Sequence, residues 1–181
     1  MSTITYDYTG KSVIVTGGTK GVGKGVTEAF LQAGANVYIC GRNAPETPIT
    51  VNGKEAKFIA ADVRKPEESQ IIIDTVINDT GRLDVLINNA GGSPPVKAAD
   101  APYRLSESII RLNLIAPLVL SQQAYQAMIN NGGAIINIAS VSGVRPSPGT
   151  AAYGAAKAGL INLTRSLSQE WGVNNVRVNA I

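Results

Sequence analysis

The chain has 181 residues, of which 44% are hydrophobic and 16% are charged, so it is long enough to fold as one domain with a substantial core. Its net charge of +3 comes from scattered residues rather than from a basic run, which argues against a nucleic-acid surface. Its longest apolar stretches reach about half the length of a membrane span and no signal-peptide pattern opens the chain, so we expect a cytoplasmic protein with no membrane partner.

Residues that bind metals are scarce in this sequence. The chain has one cysteine, Cys40, and no histidine, which excludes an internal disulfide and His-based catalytic triads and argues against a zinc site. We therefore predict no metal. Cys40 lies in an apolar strand pattern and is expected to pack in the core.

Short runs rich in Val and Ile alternate with helical patterns along the chain. We predict strands at Ser12–Thr16, Asn36–Cys40, Lys57–Ala60, Asp84–Asn88, Ala134–Ala139 and Val176–Ala180. We predict helices at Val22–Ala33, Glu67–Asp79, Leu105–Asn130 and Ala151–Gly172. The strands lack polar alternation, which is typical of strands buried on both faces of a parallel sheet. The order predicts an α/β fold in one domain over residues 1–181: a Rossmann-like doubly wound parallel sheet with helices on both faces.

The first strand runs into a glycine-rich loop, Thr16-Gly17-Gly18-Thr19-Lys20-Gly21-Val22-Gly23, and then into a helix. Three of its glycines permit a tight turn and let a pyrophosphate approach backbone N–H groups at the helix N-terminus. A plain glycine-rich turn is the alternative. The spacing from Gly18 to Lys24 matches a P-loop, but Gly25 stands where Ser or Thr would hold Mg²⁺; the ordinary dinucleotide spacing fails at Val26. We predict nucleotide binding at this loop.

Glycine and proline mark several boundaries. Pro66 fits the first position of a helix, and Gly34 and Gly81 fit C-terminal caps. The segment Asn43–Ala56 holds two prolines and an Asn52-Gly53 turn signal, which predict a short irregular crossover without a full helix.

A proline interrupts the long apolar pattern of the third predicted helix. Pro117 has no N–H to donate to the carbonyl of Asn113, so the helix should bend there and leave that carbonyl to a water or a side chain. An incidental kink with Asn113 in solvent is the alternative.

Tyr153 and Lys157 are four residues apart at the start of the last predicted helix, so their side chains lie on one face. A cation beside a phenol favours the phenolate and lowers the phenol's pKa from about 10 towards neutrality. Such a tyrosine can give or take a proton at physiological pH. The alternative is a pair of solvated neighbours on a helix surface.

Six motifs, in order, resemble those of the short-chain dehydrogenase/reductase family, and the match covers essentially the whole chain. They are the loop at 16–23, Asp62-Val63, Asn88-Asn89-Ala90-Gly91, Asn113, Ser140 and Tyr153-x-x-x-Lys157. The resemblance implies an enzyme that passes a hydride between a nicotinamide and a carbonyl or alcohol carbon of a small molecule.

The resemblance also assigns roles. Tyr153 would be the acid in reduction and the base in oxidation, while Lys157 would lower the pKa of that phenol and bind the nicotinamide ribose. Ser140 would hold the substrate oxygen, and the Asn113 carbonyl would hold a water linking Lys157 to solvent. The cofactor-binding residues would be Gly17, Thr19, Lys20, Gly21, Val22, Gly23, Arg42, Asp62, Val63, Asn89, Ala90, Gly91, Tyr153 and Lys157.

The charge after the second predicted strand favours NADP(H) over NAD(H). An NAD enzyme usually has an acidic residue there for the ribose 2′-OH, but this chain reads Cys40-Gly41-Arg42. Arg42 can pair with a 2′-phosphate, and Lys20 can reach it too. The alternative is that Arg42 is a solvated loop cation.

The chain ends at Ile181, where the family continues with a substrate loop and a seventh strand, so we expect a C-terminally incomplete domain. A 3-oxoacyl-acyl-carrier-protein reductase is one alternative, although Asn131 and Gln169 are neutral where such reductases tend to be basic. A non-catalytic NADP(H) sensor or scaffold is the alternative from another class.

By analogy, we expect a homodimer or homotetramer formed through the helices at 105–130 and 151–172, with Leu160, Leu163 and Leu167 either at that interface or in the core.

Overall fold

Strands and helices alternate along the chain in the predicted order. The computed structural model describes residues 6–181. Its strands are β1 Ser12–Thr16, β2 Asn36–Gly41, β3 Thr50–Val51, β4 Lys54–Glu55, β5 Lys57–Ala60, β6 Val85–Asn88, β7 Gly133–Asn137 and β8 Val176–Ala180. Its α-helices are α1 Gly21–Gln32, α2 Pro66–Thr80, α3 Tyr103–Ile110, α4 Ala116–Met128 and α5 Ala151–Trp171.

Within residues 6–181, six strands form one parallel sheet in the order β5-β2-β1-β6-β7-β8. The order reverses between β1 and β6, because the chain builds outward first on one side of β1 and then on the other. Crevices at the carboxyl ends of strands beside such a reversal are where open α/β sheets bind ligands. The Rossmann-like fold predicted from the sequence is confirmed.

Helices cover both faces of the sheet and bury two apolar cores. On one face, Leu86 and Ile135 of the sheet pack with residues of α2, α4 and α5, including Leu167. On the other face, Val13 and Ile39 belong to a second core with residues of α1. Among residues 6–181, no helix is both long and apolar enough to cross a lipid bilayer.

The single cysteine and three leucines of α5 lie in or against the core. Cys40 is fully buried, as predicted, and burial raises the pKa of its thiol to about 12. Leu160 and Leu167 are buried, and Leu163 packs against the first core. Core packing therefore accounts for Leu160 and Leu167, while Leu163 contacts the core and stays partly exposed. Pro66 is at the start of α2, as predicted.

The third predicted helix is interrupted. Instead of one helix over Leu105–Asn130, α3 is followed by a π-helical segment, Arg111–Ile115, and then by α4. The Ala116 N–H donates to the Arg111 carbonyl, five residues back, so the hydrogen-bond register changes just before Pro117. The irregularity predicted at Pro117 is present, and it lies on the N-terminal side of the proline because that ring can open a helix but cannot supply an N–H to the preceding turn.

The segment 43–56 contains a small hairpin rather than a helix within its described residues. β3 and β4 pair antiparallel through Asn52 and Gly53, whose φ angles are 52° and 75°. Two consecutive positive φ angles match the twist of a two-residue hairpin turn, which Asn-Gly favours. The predicted crossover without a full helix is confirmed.

Strand β7 differs from its predicted bounds. It covers Gly133–Asn137 rather than Ala134–Ala139, so it begins one residue earlier and ends two residues earlier. The next carbonyl, that of Ile138, accepts a hydrogen bond from the Lys157 side chain. The end of β7 is therefore part of the candidate site.

Candidate active site

The glycine loop follows β1 at the reversal in strand order. Gly17 and Gly21 have φ angles of 62° and 55°, in the left-handed region that favours glycine. At Gly23, an added Cβ would collide with the Gly17 carbonyl oxygen, so the loop closes onto the start of α1 only because position 23 lacks a side chain. In the described residues, Lys20 precedes α1 without a side-chain cap on its first N–H groups. The geometry fits a pyrophosphate bound at the N-terminus of α1.

We expect Gly23→Ala to disrupt this cradle and to weaken cofactor binding at least tenfold, because the new methyl group must displace the Gly17 carbonyl. Gly25→Ala is the matched control: it also lies in α1, and an added Cβ there meets nothing within 4 Å. That control should be neutral or stabilising by about 0.5–1 kcal/mol. Isothermal titration with NADPH and thermal unfolding of both variants check this. Equal NADPH affinity in the two variants would contradict it.

Thr16 joins this loop to the one after β6. Its Oγ1 accepts hydrogen bonds from the N–H groups of Asn89 and Ala90, both at 2.9 Å. The Asn89 side-chain amide donates to the carbonyl oxygens of Thr16, at 2.8 Å, and Gly17, at 3.2 Å. Asn89, predicted to bind the cofactor, thus uses its amide donor to hold the glycine loop. Thr16 was absent from the predicted site residues, although the motif contains it.

Asp62 and Val63, both predicted to bind the cofactor, lie in different surroundings. Val63 is buried and belongs to the first core. The Asp62 carboxylate is paired with Arg64, whose Nη2 lies 2.6 Å from Asp62 Oδ2 and whose Nη1 donates to Ser108 Oγ on α3. Hydrogen bonds from this guanidinium lower the pKa of Asp62 to about 2. Arg64 was absent from the predicted site residues, although its partner Asp62 is two residues away; only its bond to Ser108, 44 residues away, depends on the fold.

Arg42 follows β2 and is exposed, as is Lys20 in the glycine loop. The Arg42 charge also contributes to lowering the pKa of Asp62, although less than the Arg64 hydrogen bonds do. Arg42 and Asp62 are therefore electrostatic neighbours at the carboxyl ends of β2 and β5. Both lie at the edge of the sheet that is formed by the carboxyl ends of the strands, and the glycine loop lies at the same edge.

Asn113 is fully buried and fastens the loop after β6. Its Nδ2 donates to the Gly92 carbonyl and its Oδ1 accepts the Gly92 N–H, both at 2.9 Å. A Cβ added to Gly91 would lie 2.6 Å from Asn113 Oδ1 and 3.5 Å from Lys157 Nζ, so the loop passes closely between these two side chains. The alternative of a solvated Asn113 is wrong.

Tyr153 and Lys157 face each other on α5. Lys157 Nζ lies 5.6 Å from the centroid of the Tyr153 ring and donates to the Ile138 carbonyl at 2.6 Å. Lys157 is only 3% exposed, and burial lowers the pKa of its ammonium to about 8. Tyr153 is half-buried. The alternative of two solvated neighbours is therefore wrong for Lys157. Its side chain is buried because α5 lies beside the end of β7.

Ser140 begins the turn between β7 and α5. Its Oγ accepts the Ser142 N–H at 3.1 Å, so its own hydroxyl hydrogen can point to another acceptor. The turn packs tightly on α5, since a Cβ on Gly143 would lie 2.8 Å from the Lys157 carbonyl carbon. Val141 and Val144 are largely exposed beside it.

A glycine cradle lies at the strand reversal, with a buried lysine under a tyrosine and a serine on the adjoining turn. This arrangement fits what a dinucleotide-dependent oxidoreductase on a Rossmann-like sheet requires. The sequence profile described as short chain dehydrogenase matches residues 11–181. The chain therefore belongs to the short-chain dehydrogenase/reductase family and is an oxidoreductase. The family binds a nicotinamide cofactor and acts on small molecules.

Individual relatives agree with this membership. The chain is 38% identical to the short chain dehydrogenase/reductase dpchG of Colletotrichum higginsianum, over 95% of this chain and 68% of that protein. It is 36% identical to the 3-oxoacyl-[acyl-carrier-protein] reductase FabG of Chlamydia muridarum, over 94% of this chain and 72% of that protein. Among solved structures, a short-chain type dehydrogenase/reductase from Mycobacterium marinum has a TM-score of 0.90 at 30% identity, over 96% of this chain and 72% of that one.

Proposed function

We propose that this chain is an NADP(H)-dependent oxidoreductase that interconverts a ketone and a secondary alcohol, with Tyr153 as the acid and base. The observation that carries the proposal is the buried Lys157 ammonium, held by the Ile138 carbonyl and lying 5.6 Å from the Tyr153 ring. A buried cation beside a phenol favours transfer of the phenolic proton. A bound nicotinamide supplies the hydride for reduction or accepts it in oxidation.

The remaining steps belong to side chains of this protein. In reduction, Tyr153 donates its proton to the carbonyl oxygen; in oxidation, it takes the proton from the alcohol. Ser140, whose Oγ is already oriented by the Ser142 N–H, donates a hydrogen bond from its hydroxyl to the same substrate oxygen and keeps its own proton. Lys157 stabilises the negative charge that develops on the phenol oxygen.

Other residues position the cofactor and complete the proton route. The N–H groups at the start of α1, beside Gly21 and Gly23, would bind the pyrophosphate. The Asn113 side chain is committed to Gly92, so we propose that Asn113 serves the proton route through its main-chain carbonyl, by holding a water beside Lys157.

The exposed side chains of Arg42 and Lys20 support the preference for NADP(H). A 2′-phosphate would be bound by charge-assisted contacts, which require cations near the carboxyl ends of the strands, and both residues lie there.

We expect Arg42→Ala to weaken NADPH binding about tenfold to a hundredfold, because one hydrogen-bonded phosphate contact is lost, while NADH binding stays the same. Arg177→Ala, at an exposed position of β8, is the charge-matched control. Titration of each variant with both cofactors decides, and an undiminished preference of Arg42→Ala for NADPH would contradict the assignment.

Turnover is tested by following NADPH oxidation with a panel of small ketones and diketones. Oxidation that depends on the ketone supports the proposed reaction. NADPH binding without turnover by any member of the panel would instead favour the non-catalytic sensor or scaffold.

A second candidate is a 3-oxoacyl-acyl-carrier-protein reductase, which the 36% identity to the Chlamydia muridarum protein favours. Asn131 and Gln169 are both exposed and neutral, which counts against docking of an acidic carrier. A comparison of one 3-oxoacyl group, presented on the carrier protein and on a small thiol, separates the two candidates. A clear preference for the carrier-bound substrate would favour this second function.

We propose, by analogy with the family, that copies of the chain pair through the helices at 105–130 and 151–172. Because Leu160 and Leu167 are buried in the core, the contact would involve the outward face of α5, where Ala155 and Ala158 are exposed.

A further inference from the structure

Four buried polar side chains form an unbroken series of hydrogen bonds beneath the candidate site. Asn88 Nδ2 donates to Ser121 Oγ, at 3.0 Å, and to Asn137 Oδ1, at 2.8 Å. Asn137 Nδ2 donates to Thr164 Oγ1 at 2.9 Å, and Thr164 Oγ1 donates to the Leu160 carbonyl at 2.8 Å. All four side chains are at most 5% exposed. The series crosses from α4 through β6 and β7 to α5.

The series reaches α5 on the same face as the Tyr153-Lys157 pair. Thr164 follows Lys157 by seven residues, which is close to two helical turns and about 10 Å along the axis. Ile138, the residue after Asn137, provides the carbonyl that accepts from Lys157 Nζ. The end of β7 therefore holds α5 at two points, through the Asn137 side chain and through the Ile138 carbonyl.

Two separated contacts restrict the position of a helix more than one contact does. The packing of α5 against β8, α3 and the turn at 141–143 holds the helix as a body, but the long and flexible Lys157 side chain does not by itself fix the position of α5 relative to β7. A second, short bond two turns away fixes that position more closely. An apolar residue at position 137 would fill the same space in the core without the cost of desolvating an amide. The contribution of the Asn137 amide, whose oxygen and nitrogen are both hydrogen-bonded, is therefore to fix the geometry between β7 and α5 and not to add buried apolar surface.

We propose that Asn137 and Thr164 are positioning residues that fix α5 against β7 and so keep the Lys157 ammonium on the Ile138 carbonyl beside Tyr153. The part that concerns catalysis rests on the proposed function, whereas the part that concerns Lys157 does not. The Lys157 ammonium lies beside the Tyr153 ring and on the Ile138 carbonyl. An added Cβ on Gly91 would lie 3.5 Å from it and 2.6 Å from the neutral Asn113 amide oxygen, so the Gly91 backbone runs between the two side chains.

Thr164→Val tests the proposal, because valine keeps the volume of threonine and removes the acceptor for Asn137. Thr164→Ser restores a hydroxyl at the same position. Thr80→Val is the matched control, since the Thr80 hydroxyl also joins two elements, by a 2.8 Å bond to Ser12 Oγ, but at the amino end of β1. The first readout is the Lys157 titration, followed by NMR of its ε-carbon in the full chain and assigned with Lys157→Met. It needs neither cofactor nor substrate.

In the wild type and in Thr80→Val, the Lys157 pKa should be about 8. In Thr164→Val, the ammonium stays buried but is held less well by its acceptor, so its pKa should fall by about one unit, and Thr164→Ser should return it to about 8. An unchanged pKa in Thr164→Val would overturn the proposal. A rise towards the ordinary lysine value of about 10.4 would overturn it too, because it would show that α5 had opened to water.

Kinetics supply the second readout. For a ketone that the wild type reduces, Thr164→Val should lower kcat about tenfold or more with KM for NADPH within twofold, and Thr164→Ser should recover most of the loss. Equal kcat values in Thr164→Val and Thr80→Val would overturn the catalytic part. Should the wild type reduce no ketone, the proposed function fails, while the NMR result still decides whether Thr164 positions Lys157.

Discussion

Tyr153→Phe is expected to lower kcat for ketone reduction by about a thousandfold, the scale of a general acid's contribution, without changing the fold or the affinity for NADPH. The substitution removes one hydroxyl group and keeps the aromatic ring beside the Lys157 ammonium, whose Nζ lies 5.6 Å from the ring centroid. The substrate oxygen would then lack its proton donor. The measurements are kcat with the best ketone of the panel and the dissociation constant of NADPH.

Tyr125→Phe is the matched control for that experiment. Its hydroxyl is also partly buried and donates to Asn174 Oδ1 at 2.9 Å, but Tyr125 stacks on Trp171 at the far end of α5. This variant should lose a small amount of stability, about 1 kcal/mol, and keep its kcat. If Tyr153→Phe retained wild-type turnover, the assignment of Tyr153 as acid and base would fail, whatever the control showed.

Lys157→Met is expected to lower kcat at least a hundredfold and, without cofactor, to make the protein more stable at neutral pH. Burial lowers the pKa of the Lys157 ammonium to about 8, below the unfolded value of about 10.4. The folded state therefore binds this proton less tightly than the unfolded chain does. Keeping the charged lysine buried costs about 3 kcal/mol of folding free energy below pH 8. Methionine has a similar length and removes that cost.

The lost hydrogen bond to the Ile138 carbonyl offsets about 1 kcal/mol of this gain, which leaves a net stabilisation of about 2 kcal/mol at pH 7. The pH dependence has a defined sign. As the pH rises from 8 to about 10.4, the folded state is already deprotonated while the unfolded chain still binds the proton, so the wild type gains stability relative to the variant. Urea unfolding of both proteins at pH 7 and pH 10 measures this. A difference in unfolding free energy that did not change with pH would contradict the burial of a charged lysine.

In the proposed reaction, the same titration should limit catalysis in the wild type. Above about pH 8 the Lys157 ammonium would lose its proton and would no longer stabilise negative charge on the Tyr153 oxygen. The two predictions are linked: the buried charge that lowers stability is the charge that the proposed reaction uses. Sites of this kind often trade stability for activity.

Local sequence determined much of this protein. Runs of Val and Ile gave six strands close to their observed bounds, and their order gave the doubly wound sheet, because burial on both faces leaves a recognisable apolar pattern. The Asn52-Gly53 signal gave a tight turn, and the four-residue spacing of Tyr153 and Lys157 gave their common face. Each of these follows from the geometry of neighbouring residues along the chain.

The tertiary structure alone decided how the site is held. The burial of Lys157, its bond to the Ile138 carbonyl and the link from Asn137 to Thr164 join residues 19 and 27 positions apart. Arg64 reaches Ser108 across 44 positions. Such contacts depend on which strands become neighbours and how a helix packs over them, and a local pattern carries no information about distant partners. The sequence therefore indicates which side chains are candidates for the chemistry, while the packing of α5 beside β7 decides the environment of those side chains.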